Sequence, residues 1–145
     1  SEAPKRGRKS IFAVLNEKAL RYLGIKSIPG KGSFEHKLYQ HLICEKLKKD
    51  GLQPKIEGTT KGAKKSIDVL VQSKDGHYDS YELTLKFANM LLNIQQDFAS
   101  GVSRVIIVTK DKSGMEKAIR MVDDDSSLTK YRDRIIFSDI SDFFD

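Results

Sequence analysis

The sequence predicts an α/β domain with a mixed central β-sheet and helices on both of its faces. Segments of helical periodicity alternate with short apolar runs that are bounded by turn residues. The run Val105-Ile106-Ile107-Val108 contains no polar residue, which is typical of a strand buried on both faces. The predicted order of the main domain is helix, three strands, helix, strand, helix, strand, and this order favours one sheet between two helical layers.

The chain starts with a basic arm and a predicted helix. The first ten residues hold the run Lys5-Arg6-Gly7-Arg8-Lys9, and Ser10 is a candidate N-cap for a helix of amphipathic spacing. Residues 27–32 contain one proline and two glycines and are interpreted as a linker. The sequence therefore divides into residues 1–31, the arm and helix, and residues 32–145, an α/β domain.

The first half of that domain shows one long helix and three strands. The helix is predicted over residues 33–50, with an apolar stripe that includes Phe34 and Leu38 and with Gly51 as its stop. The strands are predicted over residues 52–57, 67–72 and 77–86, the last two joined by an Asp75-Gly76 turn.

The second half repeats the alternation of helix and strand. The elements predicted there are a helix over residues 88–100, a strand over 104–109, a helix over 113–122, a strand over 134–137 and a short helical turn at the C-terminus.

Charge is distributed unevenly along the chain, whose formal net charge is +6. Residues 1–66 hold 16 Lys and Arg against 6 Asp and Glu, whereas residues 67–145 hold 10 against 14. A basic half joined to an acidic half indicates a polyanion partner for one face. The alternative is that these charges only solvate the surface.

Composition also limits the class of protein. The single cysteine, Cys44, excludes an internal disulfide and suits a reducing cytoplasm. No apolar run approaches the roughly 20 residues that span a bilayer, so no membrane partner is expected. His36 and His41 lie five apart, a spacing that does not bring helical side chains together, and are interpreted as surface or packing residues.

The polar residues most suggestive of chemistry lie in the predicted hairpin of residues 66–86. Glu82, Thr84 and Lys86 alternate along one strand and should therefore point to the same face. If the two strands pair, Asp68 can face the same strip. Two carboxylates beside a lysine on a small sheet are the components of a divalent-metal phosphodiesterase site.

In this order of elements, the central 80 or so residues resemble the PD-(D/E)xK superfamily, the restriction-endonuclease-like fold with an αβββαβ core. Among its members, the chain resembles archaeal Holliday-junction resolvases and Mrr-type nucleases. Glu35 in Gly32-Ser33-Phe34-Glu35 matches the glutamate of the family's first core helix. Asp68 in Ser66-Ile67-Asp68 matches its aspartate, and Glu82 in Tyr81-Glu82-Leu83-Thr84 matches the acidic residue of its triplet.

This resemblance implies Mg²⁺ or Mn²⁺ ligation by Asp68 and Glu82, with Glu35 in support. Mg²⁺ takes oxygen ligands and commonly uses one or two carboxylates together with substrate phosphate. Such an ion polarises the phosphoryl oxygen and lowers the pKa of the attacking water.

The lysine of the family's triplet is absent, because Thr84 occupies its place. Two substitutes are open. Lys86 lies two positions further along the strand, about 6.5 Å away, and a flexible side chain can reach back over that distance. Alternatively, Asn93 and Gln96 are three residues apart on one face of the following helix, where some members of the superfamily relocate this function.

Basic residues near this hairpin indicate DNA as the partner. Lys61, Lys64 and Lys65 directly precede Asp68 and would attract phosphates in a salt-dependent manner. The alternative is a flexible, solvated loop. Arg6 and Arg8 belong to a segment that is similar to the wing and final helix of prokaryotic winged-helix regulators. Only the tail of such a domain would be present, which suggests either a fragment of a longer protein or a basic arm.

The sequence leaves two functions open. The first is a metal-dependent DNA endonuclease, with Asp68 and Glu82 as metal ligands, Glu35 assisting and Lys86 as the displaced basic group. The second is a catalytically degenerate nuclease-fold domain that binds DNA or assembles with a partner domain or ATPase. RNA as the substrate and a homodimer, common among nucleases that cut both strands, also remain open.

Overall fold

The computed structural model describes residues 32–144. The predicted N-terminal helix, most of the linker, Arg6 and Arg8 lie outside these residues. The elements follow in the order α1 (Phe34–Lys49), β1 (Pro54–Gly58), β2 (Ile67–Gln72), β3 (Tyr78–Thr84), α2 (Met90–Ala99), β4 (Arg104–Thr109), α3 (Lys112–Asp123), a 3₁₀ helix (Ser126–Arg134), β5 (Ile135–Asp139) and a second 3₁₀ helix (Ile140–Phe143).

The five strands form one mixed sheet in the order β1-β2-β3-β4-β5. β1, β2 and β3 pair antiparallel, whereas β4 pairs parallel to β3 and β5 pairs parallel to β4. Parallel neighbours need a crossover connection, which α2 supplies between β3 and β4. The predicted α/β class with a mixed sheet is therefore confirmed.

Two apolar clusters cover the two faces of the sheet. On one face, α1 packs its buried residues Tyr39, Ile43 and Leu47 against the sheet residues Val69 and Val108. The other face carries α2 and α3, whose buried residues include Ile94, Phe98, Ala118 and Val122, together with the sheet residues Ile67, Leu70, Val105 and Ile107. The apolar run of β4 contributes to both clusters, which explains why it contains no polar residue.

The boundary of α1 follows from its caps. The side chain of Ser33 accepts a hydrogen bond from the His36 backbone N–H, which satisfies one of the free donors of the first turn. Three lysines lie in its last turn, where cations oppose the negative end of the helix dipole. Gly51, with φ +85°, turns the chain toward β1 in a conformation that favours glycine. The helix predicted over residues 33–50 is thus confirmed.

Strand β3 is shorter than predicted. Its pairing with β4 ends at Thr84 opposite Thr109, and β4 itself ends there. The pairing of β3 with β2 ends where Tyr81 lies opposite Val69. Within residues 32–144, no strand pairs with the chain beyond Thr84, so the prediction that β3 continues to Lys86 was wrong.

Candidate functional site

Strands β2 and β3 separate at Asp68 and Glu82, a point we call the fork. Their last paired residues are Val69 and Tyr81. Beyond these, the Asp68 backbone N–H donates to Glu82 Oε1 at 3.2 Å, and the Leu83 N–H donates to Asp68 Oδ2 at 2.8 Å. The two carboxylates accept backbone hydrogen bonds across the gap in place of regular pairing. The fork therefore brings both predicted acids to one place.

A lysine lies at the fork although the triplet on β3 has none. Lys65 Nζ lies 2.6 Å from Glu82 Oε2 and also contacts Asp97 Oδ1. Ser80 Oγ donates to the other oxygen of Asp97 at 2.6 Å. Because Asp97 has no exposed surface, it fixes the position of the ammonium from inside the domain.

Burial and neighbouring charges shift the protonation equilibria at the fork. Burial, the hydrogen bond and charge of Asp97 and the charge of Asp68 raise the pKa of Glu82 well above its ordinary value, although Lys65 lowers it. Burial alone would lower the pKa of Lys65, but the charge of Glu82 and hydrogen bonds to Asp97 and Glu82 raise it. The lysine is therefore held in its charged form, while Glu82 has a greater tendency to hold a proton than an exposed glutamate.

The first helix contributes His36 to the fork. His36 Nε2 lies 3.4 Å from Asp68 Oδ1, and both side chains are 20% exposed. Glu35 instead pairs with Lys110, whose Nζ lies 3.1 Å from Glu35 Oε2. His36 therefore lies beside one of the predicted acids, a contact that the interpretation as a surface or packing residue did not include. The ion pair of Glu35 directs it toward the end of β4.

A second polar network fixes β1 beside the fork. Gln40 has no exposed surface, and its amide donates to Glu57 Oε2 at 2.7 Å and to the Asp68 carbonyl at 3.0 Å. Ser66 Oγ donates to Glu57 Oε1 at 2.9 Å. Glu57 has φ +54°, in the left-handed region that costs free energy for any residue other than glycine. These hydrogen bonds hold its carboxylate in position in spite of that cost.

The residues predicted to substitute for the missing lysine do not lie at the fork. Lys86 is exposed beyond the end of β3. Asn93 is half-buried and Gln96 is exposed on α2, and no hydrogen bond or ion pair described for residues 32–144 joins them to Asp68 or Glu82. The polar side chain that α2 does bring to the fork is that of Asp97.

The three lysines of the basic loop between β1 and β2 do not all face the same way. Lys61 and Lys64 are exposed, whereas Lys65 turns inward to the fork. The loop is anchored at Thr60, whose Oγ1 donates to the Ser100 carbonyl at 2.6 Å, and at Lys61, whose N–H donates to the Tyr78 hydroxyl at 3.3 Å. Lys61 and Lys64 thus face solvent, whereas the ammonium of Lys65 is held at the fork.

The described domain carries almost balanced charge. Residues 32–144 hold 18 Lys and Arg against 17 Asp and Glu, and residues 1–31 hold 8 against 2. Most of the positive excess assigned to residues 1–66 therefore belongs to residues 1–31. Any attraction of the domain itself for a polyanion depends on local clusters of lysine, not on its total charge.

Sequence reasoning did not place Asp97, His36 or Lys65 beside the two acids, although it named Lys65 as a loop lysine that would attract phosphates. Asp97 had a signal, because it falls three residues after the inward-facing Ile94 on an apolar helix, and a lone acid at such a position indicates a buried partner. His36 and Lys65 had none, since nothing in the sequence distinguishes them from neighbouring basic residues.

The donor set at the fork meets only the minimum that Mg²⁺ requires. Asp68 and Glu82 supply hard carboxylate oxygens, and Mg²⁺ is often held by one or two carboxylates plus water and substrate phosphate. Within residues 32–144, no group of three or more His, Cys, Asp or Glu side chains is placed to hold a metal ion. The chemistry of the ligands thus fits Mg²⁺, with substrate and water completing its coordination.

Comparison with protein families, curated proteins and solved structures finds no match to this chain. None of the helices in residues 32–144 combines the length and apolar character needed to cross a membrane. Function is therefore inferred from the geometry of the fork.

Proposed function

We propose that this domain hydrolyses phosphodiester bonds of DNA at the fork, in a metal-dependent reaction. The contact between Lys65 and Glu82 supports this most. Thr84 stands where the PD-(D/E)xK family has a lysine, and Lys65 places an ammonium group beside Glu82 in its stead. The order of elements and the positions of Asp68 and Glu82 on neighbouring strands are further support, through the resemblance to the PD-(D/E)xK nucleases.

Each side chain of the fork has a distinct part in this proposal. Asp68 and Glu82 would hold Mg²⁺, which when bound supplies charge stabilisation to the phosphoryl group and a more acidic water. Lys65 places a fixed positive charge where negative charge develops during the reaction. Asp97 is a positioning residue, since it retains the ammonium through a buried contact when Glu82 takes another partner.

The test is cleavage of plasmid, branched and single-stranded DNA with Mg²⁺ or Mn²⁺. Wild type should cut at least one of these substrates, and Asp68→Asn and Glu82→Gln should not. A matched control is Asp79→Asn, which removes an acid on the same strand that pairs with Arg104 at the surface. Cutting that persists in Asp68→Asn would reject the site.

A second function is supported by the hydrogen bonds that the acids of the fork already accept from within the domain. Glu82 is only 5% exposed, and both of its oxygens already accept from the Asp68 N–H and from Lys65. A domain with such a fork would bind DNA or assemble with a partner protein without cutting. Salt-sensitive DNA binding with no cleavage of any substrate would favour this function over hydrolysis.

A further inference from the structure

A groove of about 760 Å³ lies at the β1 side of the sheet, away from the fork. Its walls are formed by the turn before β1, by β1 itself and by the hairpin that joins β2 to β3. The residues that matter for its chemistry are Leu52, Lys55, Thr59, Leu70, Lys74 and Tyr78.

The groove combines positive charge with apolar surface. Lys55 and Lys74 are both exposed, and in the described part of the chain neither makes an ion pair. No aspartate or glutamate lines the groove, although Asp75 follows Lys74 in the sequence. Leu52 is 40% exposed, and Tyr78 is among the residues that line the groove. Cations beside an aromatic ring and apolar surface suit a strand that has phosphates on one side and bases on the other.

One loop of the chain leads from the groove to the fork. Thr59 lines the groove, and the same loop then presents Lys61 and Lys64 before Lys65 reaches Glu82. Along β3, Tyr78 and Glu82 are four residues apart, a distance of about 13 Å.

We propose that this groove binds a nucleic-acid strand, with Lys55 and Lys74 contacting its phosphates, and directs that strand along the lysine loop toward the fork. The choice of ligand rests on the proposed function. Charge complementarity argues for a polyanion, and the apolar wall argues for a single strand with accessible bases. An acidic peptide is the other occupant that the charges would accept.

The test measures how salt weakens the binding of a fluorescent 20-nucleotide single strand. Each lost phosphate contact reduces the slope of log K against log salt by about 0.7 for single strands. The double variant Lys55→Gln, Lys74→Gln should therefore reduce this slope by about 1.4. The control Lys117→Gln, Lys130→Gln removes equal charge from exposed residues of α3 and the first 3₁₀ helix and should leave the slope unchanged.

Three outcomes would overturn this inference. The first two are equal effects of the two double variants on the slope, and no effect of either. The third is binding that is displaced by an acidic peptide and not by unlabelled DNA. A second readout is acetylation of lysines, in which bound DNA should protect Lys55 and Lys74 but not Lys117. Cleavage of DNA is measured in a separate assay. A protein that binds the strand without cutting it has a functional groove and an inactive fork, whereas cutting that does not depend on Lys55 and Lys74 indicates an active fork alone.

Discussion

Ser80 and Asp97 form a buried hydrogen bond of 2.6 Å, from Ser80 Oγ to Asp97 Oδ2, and this bond orients the carboxylate toward Lys65. Ser80 and Asp97 both have no exposed surface, so the pair is shielded from water. A charged side chain is rarely buried so fully without a partner of opposite charge. Asp97 thus connects the crossover helix α2 to the loop that carries Lys65.

Replacing Asp97 by alanine should destabilise the domain strongly. The substitution leaves the ammonium of Lys65 with one partner fewer and Ser80 without its acceptor. Breaking a buried ion pair typically costs about 3–5 kcal/mol, and the 22% exposure of Lys65 places the expectation near 3 kcal/mol. Urea unfolding measures this cost. Asp123→Ala is the control, because its pair with Arg132 is at the surface and should contribute less than about 1 kcal/mol.

Replacing Lys65 by methionine should lower activity by more than the accompanying loss of stability explains, because it removes the ammonium from the fork. If the ammonium stabilises charge that develops in the reaction, kcat should fall by about 10²-fold or more, the loss typical when one such group is removed. Lys64→Met changes an exposed neighbour in the same loop and should retain kcat. Equal activities of the two variants, at equal folded fraction by circular dichroism, would remove Lys65 from the reaction.

The raised pKa of Glu82 predicts how stability depends on pH. A carboxyl with a higher pKa in the folded state binds more protons there than in the unfolded chain. Its contribution to stability is full below the unfolded value of about 4.5 and is lost as the pH rises through the folded pKa. Wild type should therefore lose stability relative to Glu82→Gln as the pH increases from 4.5 toward 8. Urea unfolding of both proteins across this range is the measurement, and a constant difference would contradict the assignment.

The backbone of Glu57 predicts an unusual order of two substitutions. Both Glu57→Ala and Glu57→Gly lose the hydrogen bonds from Gln40 and Ser66, but only alanine must keep a side chain at φ +54°. A left-handed residue with a Cβ atom costs about 1–2 kcal/mol. The glycine variant should therefore be more stable than the alanine variant by about 1 kcal/mol, the reverse of the usual order for these residues in regular structure. Thermal or urea unfolding decides the order.

The sequence predicted most of the elements because local patterns specify them. The strand of residues 104–109 was found from an apolar run, and the helix of residues 33–50 from its apolar stripe and the stop at Gly51. The strand predicted to reach Lys86 failed for a non-local reason, since the end of β3 depends on where β2 and β4 stop pairing with it. The 3₁₀ helix Ser126–Arg134 was not predicted, because its polar sequence carries no helical periodicity.

The site was predicted in part, for similar reasons. Asp68 and Glu82 were brought together by a hairpin, which is local and readable from the turn between them. Lys65 reaches a residue 32 positions further along the chain, and His36 reaches one 32 positions away. Such contacts depend on how helices dock on the sheet, and the alternation of side chains along a strand contains no information about them.

The separation of Lys65 and Asp97 along the chain has a consequence for folding. The antiparallel strands β1, β2 and β3 are joined by short connections and can form early, whereas the pairing of β4 with β3 must await the crossover through α2. Until α2 docks, Lys65 lacks its buried partner Asp97, and only Glu82 of β3 is there to pair with it. The complete fork therefore requires the crossover helix, and Lys65 gains both of its carboxylate partners only when that helix is in place.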